Sequence, residues 1–235
     1  MSLGWVTPSA ESFFCRPALP FALQATLLAP LALGANIPGV VPLYGIAAPW
    51  LIVALVGLNL PVLAFLFHGV RLDLAARRNH ALEHATIHFL ERAGAPPLSG
   101  RADKGGFRVF GRVTAAEIRQ AFDEVAVRVE GGMPIPYLSP RCGSNRLTAL
   151  VLGTALLVGV TLASVALHPP VVVSAIAFAA AVGSFYHWRD RVGHWAQDRF
   201  FMATDFETAS VRNIRQVRGS NRGGRLLYDV RTRVV

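Results

Sequence analysis

Three residues with metal-binding chemistry lie in one short segment: His80, Glu83 and His84, in the pattern His-x-x-Glu-His. On an α-helix, residues four positions apart lie on one face, so the imidazoles of His80 and His84 can bind one metal ion. Glu83 lies beside them and can activate a metal-bound water as a general base. His88 continues the same face one turn later and is a further candidate ligand. The spacing predicts a zinc site at His80 and His84 with a catalytic Glu83, and iron is the alternative metal.

A second set of histidines and carboxylates lies at the end of the last apolar stretch. On a helix, His187, Asp190, His194 and Asp198 fall within an arc of about 80°. Five of the seven histidines thus lie in these two short segments. A helix that contributes two His ligands needs a third from elsewhere, and we expect His187, Asp190 or His194 to supply it. This hypothesis requires the two helices to pack side by side at the membrane face.

Charged residues are few and unevenly placed. Of 235 residues, 53% are hydrophobic and 16% are charged, against about 25% charged in an average soluble domain. No Asp, Glu, Lys or Arg occurs in residues 17–70 or 147–186. Each stretch is long enough for two crossings of about 20 residues. This pattern excludes a secreted enzyme, a disordered tail and an ordinary cytosolic domain, and it predicts a multi-pass membrane protein.

Turn-forming residues divide each charge-free stretch, which predicts a mainly α fold. The expected architecture has four transmembrane helices, a small α+β cytoplasmic insert and a cytoplasmic C-terminal tail. The helices are expected near residues 19–35, 46–69, 147–167 and 171–188. All but one of the 23 basic residues lie in the insert or the tail, and the positive-inside rule makes those segments, and both termini, cytoplasmic. The predicted domains are an N-terminal segment with two helices, the insert, the second helix pair and the basic tail, over 1–70, 71–146, 147–188 and 189–235.

The insert and the tail carry their own secondary-structure signals. A helix is predicted over 71–93 and a strand over 107–113. Thr114 then begins a second helix, with Glu117 completing a capping box. Two further strands, which we expect to pair with the strand of the insert, are predicted in the tail near 211–217 and 226–234.

The formal net charge of +9 bears on the partners. Basic segments beside membrane helices are attracted to anionic headgroups, so we expect the lipid bilayer as a partner, together with other membrane-protein subunits. No recognisable nucleic-acid-binding module accompanies the charge, so no nucleic-acid partner is expected.

Several short motifs carry a resemblance to a known family. The segment Asn-His-Ala-Leu-Glu-His-Ala-Thr at 79–86, together with Cys-Gly-Ser-Asn at 142–145, resembles a family of uncharacterised bacterial multi-pass membrane proteins. Gly-Gly-Phe at 105–107, and Gln197 with Thr204, extend the likeness over roughly residues 71–210. The resemblance implies a bacterial integral membrane protein without an established activity. A narrower resemblance to the inverzincin zinc hydrolases rests on His80, Glu83 and His84. Those enzymes use a downstream glutamate as third ligand, and four positions stay open for it: Glu117, Glu124, Glu130 and Glu207.

These patterns support two main hypotheses of function. The first is a zinc-dependent, peptidase-like hydrolase at the cytoplasmic face of the bacterial inner membrane. The alternative is a non-catalytic accessory subunit of a larger bioenergetic or photosynthetic membrane complex. A di-iron oxidase fits less well because such sites usually need more histidines. Two minor alternatives are His68 as a pigment or haem ligand and Cys142 as a nucleophile.

Overall fold

The computed structural model describes residues 18–34, 50, 53, 57, 73–217 and 226–234. Five helices are described from end to end: α1 (Ala18–Gly34), α2 (Leu74–Arg92), α3 (Ala115–Glu130), α4 (Gly143–Leu167) and α5 (Val171–Ala196). A π-helical turn, Gln197–Phe201, follows α5. The strands are β1 (Ser99–Asp103), β2 (Gly106–Gly111), β3 (Ala209–Gln216) and β4 (Leu226–Val234). The chain forms two compact units, here called the helical unit (Met1–Gly69 with Pro140–Ala196) and the α/β unit (Val70–Ser139 with Gln197–Val235).

The α/β unit contains a four-stranded antiparallel sheet in the order β1-β2-β4-β3. Phe107 and Val109 of β2 are buried while Arg108 between them is exposed, because successive side chains of a strand point to opposite faces. The C-terminal strand β4 lies between β2 and β3, so the tail completes the sheet that the insert begins. The predicted pairing with the strand of the insert is confirmed for β4, whereas β3 pairs with β4 instead.

Helices α2 and α3 cover one face of this sheet. Their apolar positions form one core with the strands, which includes Leu82, Phe89, Phe107, Phe122 and Val230. Thr114 caps α3, and its hydroxyl accepts from the backbone N–H of Glu117, whose carboxylate accepts from the N–H of Thr114. The predicted capping box is confirmed. This hydrogen-bonded cap lowers the pKa of Glu117 because it favours the ionised carboxylate.

The helical unit packs α1, α4 and α5 together. The rings of Phe21 and Phe185 stack with centroids 3.6 Å apart, and Gly153 lets α4 approach them, since a Cβ there would collide with both rings. Thr154 donates from Oγ1 to the side-chain oxygen of Gln24. Helix α4 ends at Leu167, and its C-cap residue His168 adopts a left-handed conformation at φ 47° before two prolines. Small residues and interhelical hydrogen bonds therefore join these helices.

The prediction of a mainly α protein with four transmembrane helices is wrong. In the part of the chain that the structure describes, two helices are long and apolar enough to cross a membrane, Gly143–Leu167 and Val171–Phe201. The first predicted crossing is observed as α1, a helix of 17 residues whose apolar part, Phe21–Leu33, is shorter than the two candidate spans. The second predicted crossing, 46–69, lies outside the described residues except for residues 50, 53 and 57. A segment without charged residues is apolar in composition, but it does not have to form one continuous helix that is long enough to cross a membrane.

The sheet is also larger than expected. Strand β1 carries the sequence Ser-Gly-Arg-Ala-Asp, with no residue fully buried. Such an edge strand has neither the apolar alternation nor the β-branched residues by which strands are predicted. It forms because its backbone pairs with β2 across the short turn at 104–105.

Candidate metal centre

Helix α2 positions the His-x-x-Glu-His segment. The carboxylate of Asp73 accepts from the backbone N–H of Ala75 and caps the helix at its N-terminus. Leu82, Ala85 and Phe89 of α2 are buried in the core of the α/β unit. Leu74, at the first position of the helix, is 43% exposed.

His80 and His84 lie side by side on the half-exposed flank of α2. Their ring centroids are 4.8 Å apart and the rings are nearly perpendicular, at 83°. Nδ1 of His80 is 3.1 Å from the backbone carbonyl of Phe201. A carbonyl can only accept, so Nδ1 carries the proton and Nε2 of the neutral ring keeps its lone pair. Metal-binding histidines are commonly oriented in this way by a carbonyl on the other ring nitrogen.

His84 supplies a second ring nitrogen that can bind a metal ion. Among the described residues, no group hydrogen-bonds to its buried Nδ1, and a buried polar atom without a partner is costly. Ligand nitrogens of His80 and His84 lie within 4.8 Å of each other. Two ligands of one tetrahedral zinc lie about 3.4 Å apart, from bond lengths of about 2.0–2.1 Å. A modest side-chain rotation therefore brings both rings onto one ion.

Glu83 lies on a different flank of α2 and is buried, with 3% of its surface exposed. Its side chain packs against β1, where a Cβ at Gly100 would collide with Oε1 of Glu83. Gly100 therefore leaves room for the carboxylate between the helix and the edge strand. Sequence analysis missed this glycine, although an isolated glycine in a strand is a signal of close approach.

Other residues of the segment at 79–86 have structural contacts. The Asn79 side chain donates to the carbonyl of Asp103 and accepts from the hydroxyl of Thr232, which ties α2 to two strands. Thr86 donates to the carbonyl of Leu82 within the helix. These contacts fix the helix that carries the two histidines.

The structure does not group His88 with His80 and His84. His88 is exposed, and its ring packs edge-on against Phe89 with centroids 5.7 Å apart. Within the described residues of the α/β unit taken alone, two histidines converge and no third His, Cys, Asp or Glu joins them.

The second predicted set of ligands lies in the helical unit, on α5. His187 is exposed with its ring against Trp188, and Asp190 is 3.9 Å from Arg189. His194 has a buried Nε2 without a hydrogen-bond partner among the described residues. The two sets belong to different units, so their sharing of a metal stays a prediction.

The π-helical turn contributes a second polar feature that sequence analysis did not identify. Gln197 is fully buried and its amide exchanges two hydrogen bonds with the backbone of Ser139. The hydroxyl of Tyr137 donates to Asp198 at 2.6 Å, and this bond raises the pKa of Tyr137 to about 12. Both side chains line a cavity of about 230 Å³ together with Arg77 and Asp205. Arg77 donates to the carbonyls of Arg199 and Met202, so the turn is fixed to the start of α2.

Two other sequence hypotheses concern Cys142 and His68. Cys142 is the N-cap residue of α4, and its role as a nucleophile stays a prediction; Ser144 and Asn145 lie inside the helix and are buried. Asn145 packs against α5, where a Cβ at Gly193 would collide with its side-chain oxygen. His68 lies outside the described residues.

Comparison with known proteins identifies the family. Residues 75–214 match the model of DUF6391, a domain of unknown function. The chain belongs to the DUF6391 family. The matched range contains every candidate zinc ligand named above. An uncharacterized protein of Picosynechococcus sp. (strain ATCC 27264 / PCC 7002 / PR-6) is 34% identical over 98 residues. This match covers 37% of the present chain and 48% of the relative, so it spans about half of the relative's length. No solved structure matches the chain. The expectation of an uncharacterised family is confirmed at this level.

Proposed function

We propose that this DUF6391 protein is a zinc-binding protein of the bacterial inner membrane, with His80 and His84 as its first two ligands. The proposed metal site is supported by the two adjacent imidazoles. A backbone carbonyl orients the ring of His80, and the ring of His84 has a buried nitrogen without a hydrogen-bond partner among the described residues. Two His ligands on one helix are typical of zinc sites. Imidazole also suits iron, which is the alternative metal.

The remaining ligands of the proposed site come from groups that can reach the two histidines or from water. His88 is on the same helix and exposed. His187, Asp190 and His194 are the candidates on α5. A site with three protein ligands keeps an open position for a water or a substrate, as catalytic zinc sites do.

The membrane part of the proposal rests on α4 and α5. Their apolar side chains include several that are exposed, among them Leu152, Leu162, Val172 and Ile176. The connection at 168–170 contains no Lys or Arg. If this hairpin crosses the bilayer, the residues before α4 and after α5 lie on one side, which the positive-inside rule makes cytoplasmic. Anionic headgroups are then the proposed lipid partner.

Metal content tests the proposal directly. We expect the full-length protein, purified in detergent with zinc and then dialysed, to retain one zinc per chain by elemental analysis. The double variant His80→Ala with His84→Ala should lose it, because both converging imidazole nitrogens are removed. Unchanged zinc content in this variant would refute the site.

A matched control removes a histidine that the site does not use. His168 is exposed and has a positive φ, which asparagine tolerates. His168→Asn should therefore retain zinc. Single variants at His88, His187, Asp190 and His194 then identify the third ligand as the one whose loss weakens zinc binding by more than the about 10–100-fold that removal of a group orienting a ligand costs.

A hydrolytic reaction of the peptidase type is the proposed use of this zinc. The carboxylate of Glu83, which packs against β1, would have to turn toward the two histidines to accept a proton from the zinc-bound water. Glu83→Gln should leave the zinc bound and abolish zinc-dependent hydrolysis of a peptide library. Gly100→Ala retains the carboxylate but displaces it, so it should lower the same activity. An active Glu83→Gln protein with normal zinc would refute the hydrolase.

The exposed apolar surface of α4 and α5 favours a second candidate, an accessory subunit of a larger membrane complex. In an apolar stretch of 18 residues, only 33% of the residues are buried in Gly143–Leu167 and only 17% in Val171–Phe201. Such helix faces contact either lipid or other transmembrane helices. Cross-linking in native membranes, followed by purification of the full-length chain, should then give one defined complex; a chain cross-linked to nothing would refute this candidate.

A further inference from the structure

The outer face of the sheet, opposite α2 and α3, carries a row of charged residues. The strand register places Arg101, Arg108, Asp229 and Arg215 directly opposite one another across all four strands. The three arginines of this row are exposed. Cross-strand neighbours on one face interact directly, so this row forms one surface.

The charges of this outer face do not balance. Arg231 and Arg233 of β4 and Asp103 of β1 lie on the same face, which gives five arginines against two aspartates. Asp229 is shared by Arg108 at 3.5 Å and Arg231 at 2.9 Å. Within the described part of the chain, Arg101, Arg215 and Arg233 have no carboxylate within 4.0 Å.

One pair on this face is unfavourable for the isolated protein. Arg101 of β1 lies directly opposite Arg108 of β2, and like charges in this position destabilise a sheet. An anion bound between them would remove the repulsion. Phe110 and Leu227, opposite each other in a neighbouring row, add partly exposed apolar surface.

We propose that this arginine face binds the anionic headgroups of the phospholipid bilayer. The inference rests on the membrane association proposed above and not on zinc. A chain held at a bilayer by α4 and α5 meets headgroups at high local concentration, and guanidinium groups bind phosphate oxygens in a bidentate manner. Partly exposed apolar side chains beside arginines are typical of surfaces that contact a membrane interface.

Chemical footprinting of arginine tests the proposal on the unmodified protein. The full-length chain is reconstituted in nanodiscs of phosphatidylcholine, and separately in nanodiscs of phosphatidylcholine with an equal amount of phosphatidylglycerol. Phenylglyoxal modification of each arginine is then followed by mass spectrometry. We expect Arg101, Arg215 and Arg233 to react more slowly in the anionic nanodiscs by about fivefold, the population change that one arginine near an anionic surface produces. High salt should abolish the difference because it screens the interaction.

Arg92 and Arg119 are the internal controls. Both are exposed on the helical layer that covers the opposite face of the sheet, so their rates should be the same in both lipids. Equal rates at the outer-face arginines in both lipids would overturn the proposal. Protection of these arginines by an added RNA oligonucleotide in phosphatidylcholine nanodiscs, without protection by phosphatidylglycerol, would overturn it in favour of nucleic acid. Failure of the chain to enter phosphatidylcholine nanodiscs would instead refute the membrane association proposed above, whatever the zinc content.

Discussion

The two units of the molecule differ in how they distribute polar and apolar residues. In the α/β unit, large apolar side chains such as Phe107, Phe122 and Leu82 are fully buried, and the outer sheet face carries arginines. In the helical unit, exposed apolar side chains are common on α4 and α5. Its buried residues include a set of small or polar side chains: Gln24, Ser144, Asn145, Thr148, Thr154, Thr161, Ser164 and Ser174.

This difference is the one expected if the helical unit lies in lipid, as proposed above, and the α/β unit lies in water. Burial of apolar surface drives folding in water. It gives no advantage between helices in lipid, where close packing of small residues and interhelical hydrogen bonds hold helices together. The contact of Gly153 with two aromatic rings and the Thr154–Gln24 hydrogen bond are of this second kind. The contrast therefore supports an aqueous α/β unit and a lipid-exposed helical unit.

The largest expected effect concerns the core of the α/β unit. Phe122 is fully buried and stacks near Phe107 with centroids 6.2 Å apart. Phe122→Ala should lower the free energy of unfolding by about 3–5 kcal/mol. Hydrogen exchange of the full-length protein should report this as faster exchange in β2 and α3.

The control for Phe122 lies on the same helix. Val127 is 62% exposed, so Val127→Ala should change the unfolding free energy by less than about 0.5 kcal/mol. If both variants behave alike, the core of this unit does not depend on apolar burial and the contrast between the units fails.

A smaller effect is expected from close packing in the helical unit. Gly153→Ala adds a Cβ that collides with Phe185 and Phe21, and overpacking of this kind costs about 1–3 kcal/mol. Gly159 lies on the same helix with nothing within 4 Å of an added Cβ. Gly159→Ala should therefore be neutral or stabilising by up to about 1 kcal/mol. Thermal unfolding of both variants in one detergent measures the difference, and equal melting temperatures would contradict helix packing through Gly153.

The sequence predicted the elements whose signal is local. Thr114 with Glu117 identifies the start of α3, and residues 168–170 separate α4 from α5, because caps and prolines act within a few residues. Of the two strands predicted in the tail, the one near 226–234 pairs with the insert as expected. The existence of β1 had no such signal, since its strand depends on pairing with β2.

In the candidate site, too, some features follow from the local sequence and others depend on contacts between distant segments. The adjacency of His80 and His84 follows from helical periodicity alone. The carbonyl of Phe201 that orients His80 lies 121 positions away along the chain, and the space that Gly100 leaves for Glu83 depends on the strand beside the helix. Contacts between elements distant in sequence require the tertiary fold, which no local pattern specifies.

The smallest expected effect lies at the Tyr137–Asp198 hydrogen bond of the α/β unit. The carboxylate of Asp198 raises the pKa of Tyr137 from 10.0 to about 12, so the bond stabilises the folded state below pH 10 and this stabilisation is lost as the pH rises toward 12. Asp198 is exposed to water, and solvent screening keeps the contribution to about 0.5–1 kcal/mol. Tyr137→Phe should lower the free energy of unfolding by that amount at neutral pH, and the difference from wild type should disappear above the raised pKa.

Ultraviolet titration of phenolate, as the difference between wild type and Tyr137→Phe, should show one tyrosine that ionises near pH 12. Asp198→Asn removes the negative charge, so it should return that tyrosine toward the ordinary value of about 10. A Tyr137 that ionises near pH 10 in the wild-type protein would show that the bond does not hold the π-helical turn to the segment before α4. The buried Gln197, with its two hydrogen bonds to Ser139, would then be the contact that fixes this turn and, through Phe201, the orientation of His80.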